Sequence, residues 1–432
     1  MNPEPLHRWL TQPRPCAQRF PYDTVIDAYQ HHGKQFLPAE WTTLLRATRN
    51  RLPELPAPTG NLAAFLDVAL DKPDGRYDYR TYLALPLLPI PDPDERPQPA
   101  ERLLARRDHL HVGLLTDLIS FELRALDNTG APLPQLRPDP TVVTKRLRHA
   151  VRSAAPALRR LSFDIPSTDN PVTTARQVAA AATLDLHPRD RLTVRATMLP
   201  VSTVHDEWMF IRVLQTFELT FGLLAVNLTA VAAAVHARRL PAAGTRLSFA
   251  AALLRDIAPL WSLLATMQPE AFHTFRAHTD GASAIQSRAY KLIESLCRTP
   301  NPQRLNSAAY LSVPDVHARI RSGQPTIDDA LDAIRADHRA LAECPILADG
   351  MQQFTAAVHQ WRRTHYRLAV RMLGTHRTGT GATLGTPYLL HSRDAAVFSD
   401  RDPSPVQRRP PMTATTIPPQ ALTASIGSRN LS

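Results

Sequence analysis

Four groups of residues have types and spacings that could do chemistry. Arg276 follows Phe272 by four positions, so on a helix the two share a face. Its planar guanidinium can grip a carboxylate through two parallel hydrogen bonds. Further on, Thr378-Gly379-Thr380-Gly381 and Gly385 form a turn in which glycine lets backbone approach a ligand closely, and the Thr380 hydroxyl can meet an amino group. Tyr79 and Tyr82, three apart, share one face of a short helix, either as packing residues or as the wall of a site. His205-Asp206-Glu207 opens a strongly apolar run to Leu219, which reads as a buried amphipathic helix with a His-Asp capping start. Taken singly, an arginine is at home on a surface and a tyrosine in a core. Their order along the chain carries more.

In that order the segments resemble the tryptophan 2,3-dioxygenase family of haem enzymes, over about Gly75–Leu85 and then Val204–Leu390. Tyr79-Arg80-Thr81-Tyr82-Leu83 resembles the YxxYL arm, which in those tetramers reaches into the neighbouring subunit's active site. His205 to Leu219 is similar to the HDExxFIxxHQxxEL helix on the distal side of the haem. Phe210 matches the aromatic lining the indole pocket, and Leu214 stands where the family places a distal histidine. A leucine cannot accept a hydrogen bond from an indole N–H. Leu264–Arg276 and Gly281–Glu294 are similar to TMTPxDFxxFR and SSGFQSxQYRxIE, which implies Arg276 as the grip on the substrate α-carboxylate, with Phe272 beside the ring. Trp361–Gly374 is similar to WRxxHxxxVxRxIG, which implies His365 as the axial ligand of haem iron, an imidazole being suited to iron that binds O2. The glycine turn is similar to GTGGSSG and implies that Thr380 contacts the substrate ammonium. It departs by one extra residue after Gly374 and by Gly381-Ala382-Thr383-Leu384-Gly385 in place of GGSSG.

The resemblance implies an all-α, tryptophan-dioxygenase-like bundle enclosing haem b, a cytoplasmic homotetramer that adds O2 to L-tryptophan to give N-formylkynurenine. Phe210, Leu214, Arg276 and Thr380 would serve catalysis, and Phe272, Tyr79, Tyr82 and Leu83 would join them around the substrate. Leu214 and a long insert keep a second reading open: a haem-dependent monooxygenase or peroxygenase of tryptophan or tyrosine derivatives in specialised metabolism. A third, from the basic stretch Val142–Leu161, is a haem-binding or helical interaction protein without turnover.

The elements that must position these residues follow from proline and periodicity. Twenty of 40 prolines fall in residues 1–140 and only nine in 201–390, where long helices can therefore run. There Trp208–Val235, Phe249–Met267, Ala284–Cys297, Ile327–Ala342 and Gly350–Leu373 carry apolar residues at helical intervals. Residues 101–126 and 142–162 add two helices, and Arg191–Met198 is the best alternating, strand-like run. The expected divisions are an extension over 1–74, the arm over 75–92, an insert over 93–195, the haem domain over 196–390 and a disordered tail from 391 to 432. Composition fits a soluble protein: 432 residues, 44% apolar, net charge +11. The N-terminus lacks a secretory pattern, and Leu219–Val235, broken by Asn227, is too short to span a bilayer and reads as a core helix. Arginine without a groove-reading motif argues against a nucleic-acid partner. Three scattered cysteines exclude a disulfide scaffold and a zinc ribbon and suit a reducing compartment.

Overall fold

Proline starts helices in this protein more than it ends them. It sits in the first turn of many of the helices named below, where its missing N–H would have had no intrahelical partner. The proline-rich first third is therefore helical too. The computed structural model describes residues 2–56, 58–164, 168–335, 344–375 and 385–399. Among them there is no strand, only a single bridge between Gln135 and Val204.

Four helices open the chain: α1 (Glu4–Leu10), α2 (Tyr22–His32), α3 (Ala39–Asn50) and α4 (Gly60–Ala69). They bury a cluster of their own, with Trp9, Ile26, Trp41 and Phe65 packed against Ala196 and Leu199. The short α5 (Tyr79–Tyr82) follows, its first turn capped by the Asp78 carboxylate on Thr81 N at 2.8 Å. Next come α6 (Ala100–Leu126), α7 (Pro140–Arg160), α8 (Pro171–Asp185) and α9 (Pro188–Ala196). The strand-like run 191–198 is thus mostly helix α9: Pro188 in its first turn and the His187 cap nucleate a helix, and no second strand lies beside it to pair with.

The centre is α10 (His205–His236), 32 residues long and buried on most sides, as a helix apolar all round should be. It is long and apolar enough to cross a membrane, as is the stretch Leu240–Leu264, but 72% and 56% of their most apolar windows are buried inside the protein. Around α10 lie α11 (Leu240–Asp256), α12 (Pro259–Leu264), α13 (Pro269–Arg276) and α14 (Arg288–Cys297). The run 249–267 is broken in two at Pro259. Short helices α15 (Pro302–Leu305), α16 (Ala308–Leu311), α17 (Pro314–Arg321) and α18 (Ile327–Arg335) lead to α19 (Pro345–Leu373) and α20 (Thr386–Arg393). Where α11 crosses α19, Gly244 and Gly350 meet so closely that neither has room for a Cβ, and this seats α19. Residues 391–399, read from sequence as the start of the tail, are helical to Arg393 and then bury Val397 and Phe398. Ser399 N and Oγ both donate to the Asp328 carboxylate.

The His-Asp start of α10 does not cap it. Asp206 accepts from Gln268 N at 2.7 Å and pairs with Arg146 at 2.7 Å, while His205 Nε2 meets Glu122 at 3.1 Å. Arg146 also donates to Glu122 at 3.1 Å, so α6, α7 and α10 share one buried charge network. Glu207 accepts from Val201 N, Ser202 N and Ser202 Oγ, fixing the loop before the helix.

Candidate functional site

Successive turns of one face of α10 present Phe210, Leu214, Phe217, Glu218 and Phe221 to a cavity of about 240 Å3. At the rise of an α-helix that face runs for about 16 Å. The opposite walls come from α5, α12, α13, α14, α19 and α20.

Its first part is aromatic. Phe210 meets Phe275 at 5.2 Å and Phe272 at 5.9 Å between ring centroids, and Leu214 lies beside them on the wall. Arg276 ends α13 with its guanidinium 5.9 Å from the Phe272 ring, the shared face that their four-residue spacing dictates.

The middle is built around His365. Its imidazole stacks on Trp261 at 5.3 Å and meets Trp361 at 5.3 Å. Burial pushes the imidazole down to about 4, so it is neutral at neutral pH, the form that ligates metals. The indole nitrogens of Trp261 and Trp361 are buried without a partner, each lacking a bond that buried N–H groups normally make. Tyr79 and Tyr82 of α5 also line the cavity. The Tyr79 hydroxyl donates to Glu218 at 3.0 Å, and burial raises the Glu218 carboxyl to about 7 despite that bond and one from Ser287.

The last part is charged. Lys291, Arg304 and Arg362 surround Glu294 at 3.1, 2.6 and 3.3 Å. Burial works to raise the Glu294 carboxyl, but the three cations overcome it and hold it at about 2. Arg362 donates also to the Tyr290 hydroxyl at 2.9 Å, and Lys291 to Tyr388 at 3.3 Å. Three cations for one carboxylate leave this wall positive.

Of the residues singled out from sequence, the cavity therefore gathers Phe210, Leu214, Phe272, Arg276, Tyr79, Tyr82 and His365. It does not gather Leu83. That side chain is fully buried in the core just past α5, and its carbonyl accepts from Gln215 at 2.9 Å. Thr380 and the turn around it lie outside the described residues. Sequence reasoning gave no role to Glu218, Trp261, Lys291, Glu294, Arg304 or Arg362. The three-residue spacing of Lys291 and Glu294 was a signal for one pair; Arg304 and Arg362 join them only through the fold.

Compared with known proteins, residues 188–315 match the tryptophan 2,3-dioxygenase family. That stretch carries Phe210, Leu214, Phe272 and Arg276 and stops short of His365. A tryptophan 2,3-dioxygenase of Paraburkholderia phytofirmans is 29% identical over 247 residues, 48% of this chain and 79% of the relative. One from Burkholderia mallei is 27% identical over 237 residues, 46% of this chain and 76% of the relative, and one from Burkholderia pseudomallei aligns to the same extent.

Proposed function

Because this chain belongs to the tryptophan 2,3-dioxygenase family and is an oxidoreductase, we propose that its cavity holds haem through His365 and oxygenates an aromatic amino acid, L-tryptophan first. The observation that carries the reading is the sharing of one cavity by a buried neutral imidazole, an aromatic wall and an arginine. The residues fit haem. Among the described residues no three His, Cys, Asp or Glu side chains converge on a metal, so His365 would be the single protein ligand, as a tetrapyrrole allows. Lys291 and Arg304 suit the carboxylates at the edge of that group, and the unpartnered indoles of Trp261 and Trp361 offer further donors.

Bound haem supplies the iron that activates O2. The chain's own residues position the substrate. Arg276 grips the α-carboxylate, Phe210 and Phe272 hold the ring, and Thr380 receives the ammonium. The apolar wall keeps water from the ring, which strengthens each of these contacts. Both atoms of O2 then enter one product, N-formylkynurenine, and no external reductant is consumed. The free cysteines and the mostly buried apolar helices support a cytoplasmic location.

Replacing Arg276 with leucine removes a charge-assisted clamp, which costs about 2–4 kcal/mol when such a pair is desolvated. The expected outcome is a fall of about two orders of magnitude in kcat/KM for tryptophan, with tryptamine handled no worse than by wild type. A fall of less than threefold places the carboxylate elsewhere.

Leu214 favours a second reading. It lines the cavity with nothing to pair an indole N–H, so the pocket does not insist on indole. Product masses from purified protein given tryptophan and tyrosine separate the two: gain of two oxygens supports dioxygenation, and gain of one supports monooxygenation.

A further inference from the structure

Helix α7 carries two kinds of base. Arg146 turns into the fold and pairs with Glu122 and Asp206 at 3.1 and 2.7 Å, and Arg160, at the end of the helix, spans Asp108 and Asp256, both at 2.6 Å. These bonds fix the helix in place. Lys145, Arg148, Arg152 and Arg159 are exposed instead, and among the described residues none of the four reaches a carboxylate within ion-pair distance. Exposed arginines elsewhere do find acids: Arg49 has Asp74, Arg176 has Asp127, and Arg195 has Asp23 and Asp27.

Steps of three, four and seven residues put the four bases on one stripe about 21 Å long. Like charges at this spacing repel, so the stripe opposes folding rather than helping it. The imidazole of His149, which lies among them, is pushed down by burial and then by Lys145, Arg152 and Arg148. Where α7 meets the first turn of α8, a groove of about 610 Å3 opens beside the stripe. Arg148 and Arg159 line it together with apolar Val151, Phe163 and Pro171. Asp164 and Asp169 line it too. Space of this size takes several side chains of a partner.

That mixture selects among acidic partners. A nucleic-acid backbone bears one sign of charge throughout, so the two aspartates would repel it and the apolar lining would stay unfilled. A helix with carboxylates flanking an apolar ridge matches all three features. Its carboxylates suit the arginines, its apolar side chains suit the groove, and its positive N-terminal end suits Asp164 and Asp169.

We propose that the outer face of α7, with the groove against α8, docks an acidic amphipathic helix of a partner protein. The surface precedes residue 188, where the match to the tryptophan 2,3-dioxygenase family begins, and it is independent of what the cavity binds.

The probe is a fluorescein-labelled synthetic peptide of about five helical turns, with leucines along one face and glutamates beside them. Its anisotropy is followed as the full-length protein is added at low salt. Saturable binding is expected, and a scrambled peptide of the same composition should bind at least about tenfold more weakly. Arg148→Glu/Arg152→Glu/Arg159→Glu should lose about tenfold or more in affinity while keeping its Tm, since it removes only unpaired bases. Arg239→Glu/Arg298→Glu/Arg321→Glu lowers the net charge equally at other exposed positions and should bind as wild type does. If the first triple variant unfolds, the milder Arg148→Gln/Arg159→Gln decides by the same loss of affinity. Absence of saturable binding, equal binding of the scrambled peptide, tighter binding of a DNA duplex of about 20 base pairs, or unchanged affinity in the α7 variants overturns the proposal.

Discussion

Two buried charge networks, one at the start of α10 and one on the cavity wall, differ in balance. In the first, Arg146 and His205 face Glu122 and Asp206, with every carboxylate answered by a base or a backbone N–H and no contact with the cavity. In the second, Lys291, Arg304 and Arg362 share Glu294 on the cavity wall. A network whose carboxylates are each answered within the protein fixes helices against one another. An open one with surplus charge of one sign is unfinished, because buried charge without a partner is costly. Burial alone does not mark a ligand site: Arg146 is more buried than Arg304, yet only the network of Arg304 has charge left for a ligand.

The sharpest way to break the contrast is Arg146→Met. It leaves Glu122 and Asp206 buried without their cation, a loss of about 3–5 kcal/mol in the unliganded protein, read from the denaturant midpoint. Glu218, an unmatched acid on the cavity wall, gives the next effect. Its folded value of about 7 exceeds the ordinary 4.5, so the folded state holds this proton more tightly than the unfolded chain. The stability it confers is full below about pH 4.5 and is lost as pH rises through 7, about 3 kcal/mol in all. Glu218→Gln should therefore flatten the decline in Tm between pH 5 and pH 8. An unchanged decline shows that the carboxyl is already ionised in the fold.

The smallest effect on stability belongs to Lys291→Met. With Arg304 and Arg362 still on Glu294, the unliganded protein should lose under about 1 kcal/mol, while haem, once bound, should leave for apomyoglobin several times faster. A loss as large as that of Arg146→Met would erase the distinction between the networks.

The helical core was legible because α10, α14 and α19 keep apolar residues at helical spacing over many turns. Proline misled wherever its density was taken for its effect: at the first turn it starts a helix, and α7, α8 and α9 all begin that way. Over eight residues, Arg191–Met198 satisfies an alternating pattern and a helical one alike, and only the missing partner strand decides. Phe272 and Arg276 could be paired by spacing because one helix carries both. Leu83 could not be sorted from Tyr82 in that way, since one step past α5 the chain turns and sends the side chain into the core. The meeting of Lys291 and Arg304 with Arg362 has no local signature: it depends on α14, α15 and α19 packing together.

Whether His365 holds haem in this cavity is tested most directly by a haemin titration of the purified apoprotein followed by absorption. Wild type should saturate at one equivalent with a Soret band that shifts on adding L-tryptophan. His365→Ala should lose that band and regain it with added imidazole. A wild type that gives no saturable band, or a His365→Ala spectrum identical to it, contradicts the claim.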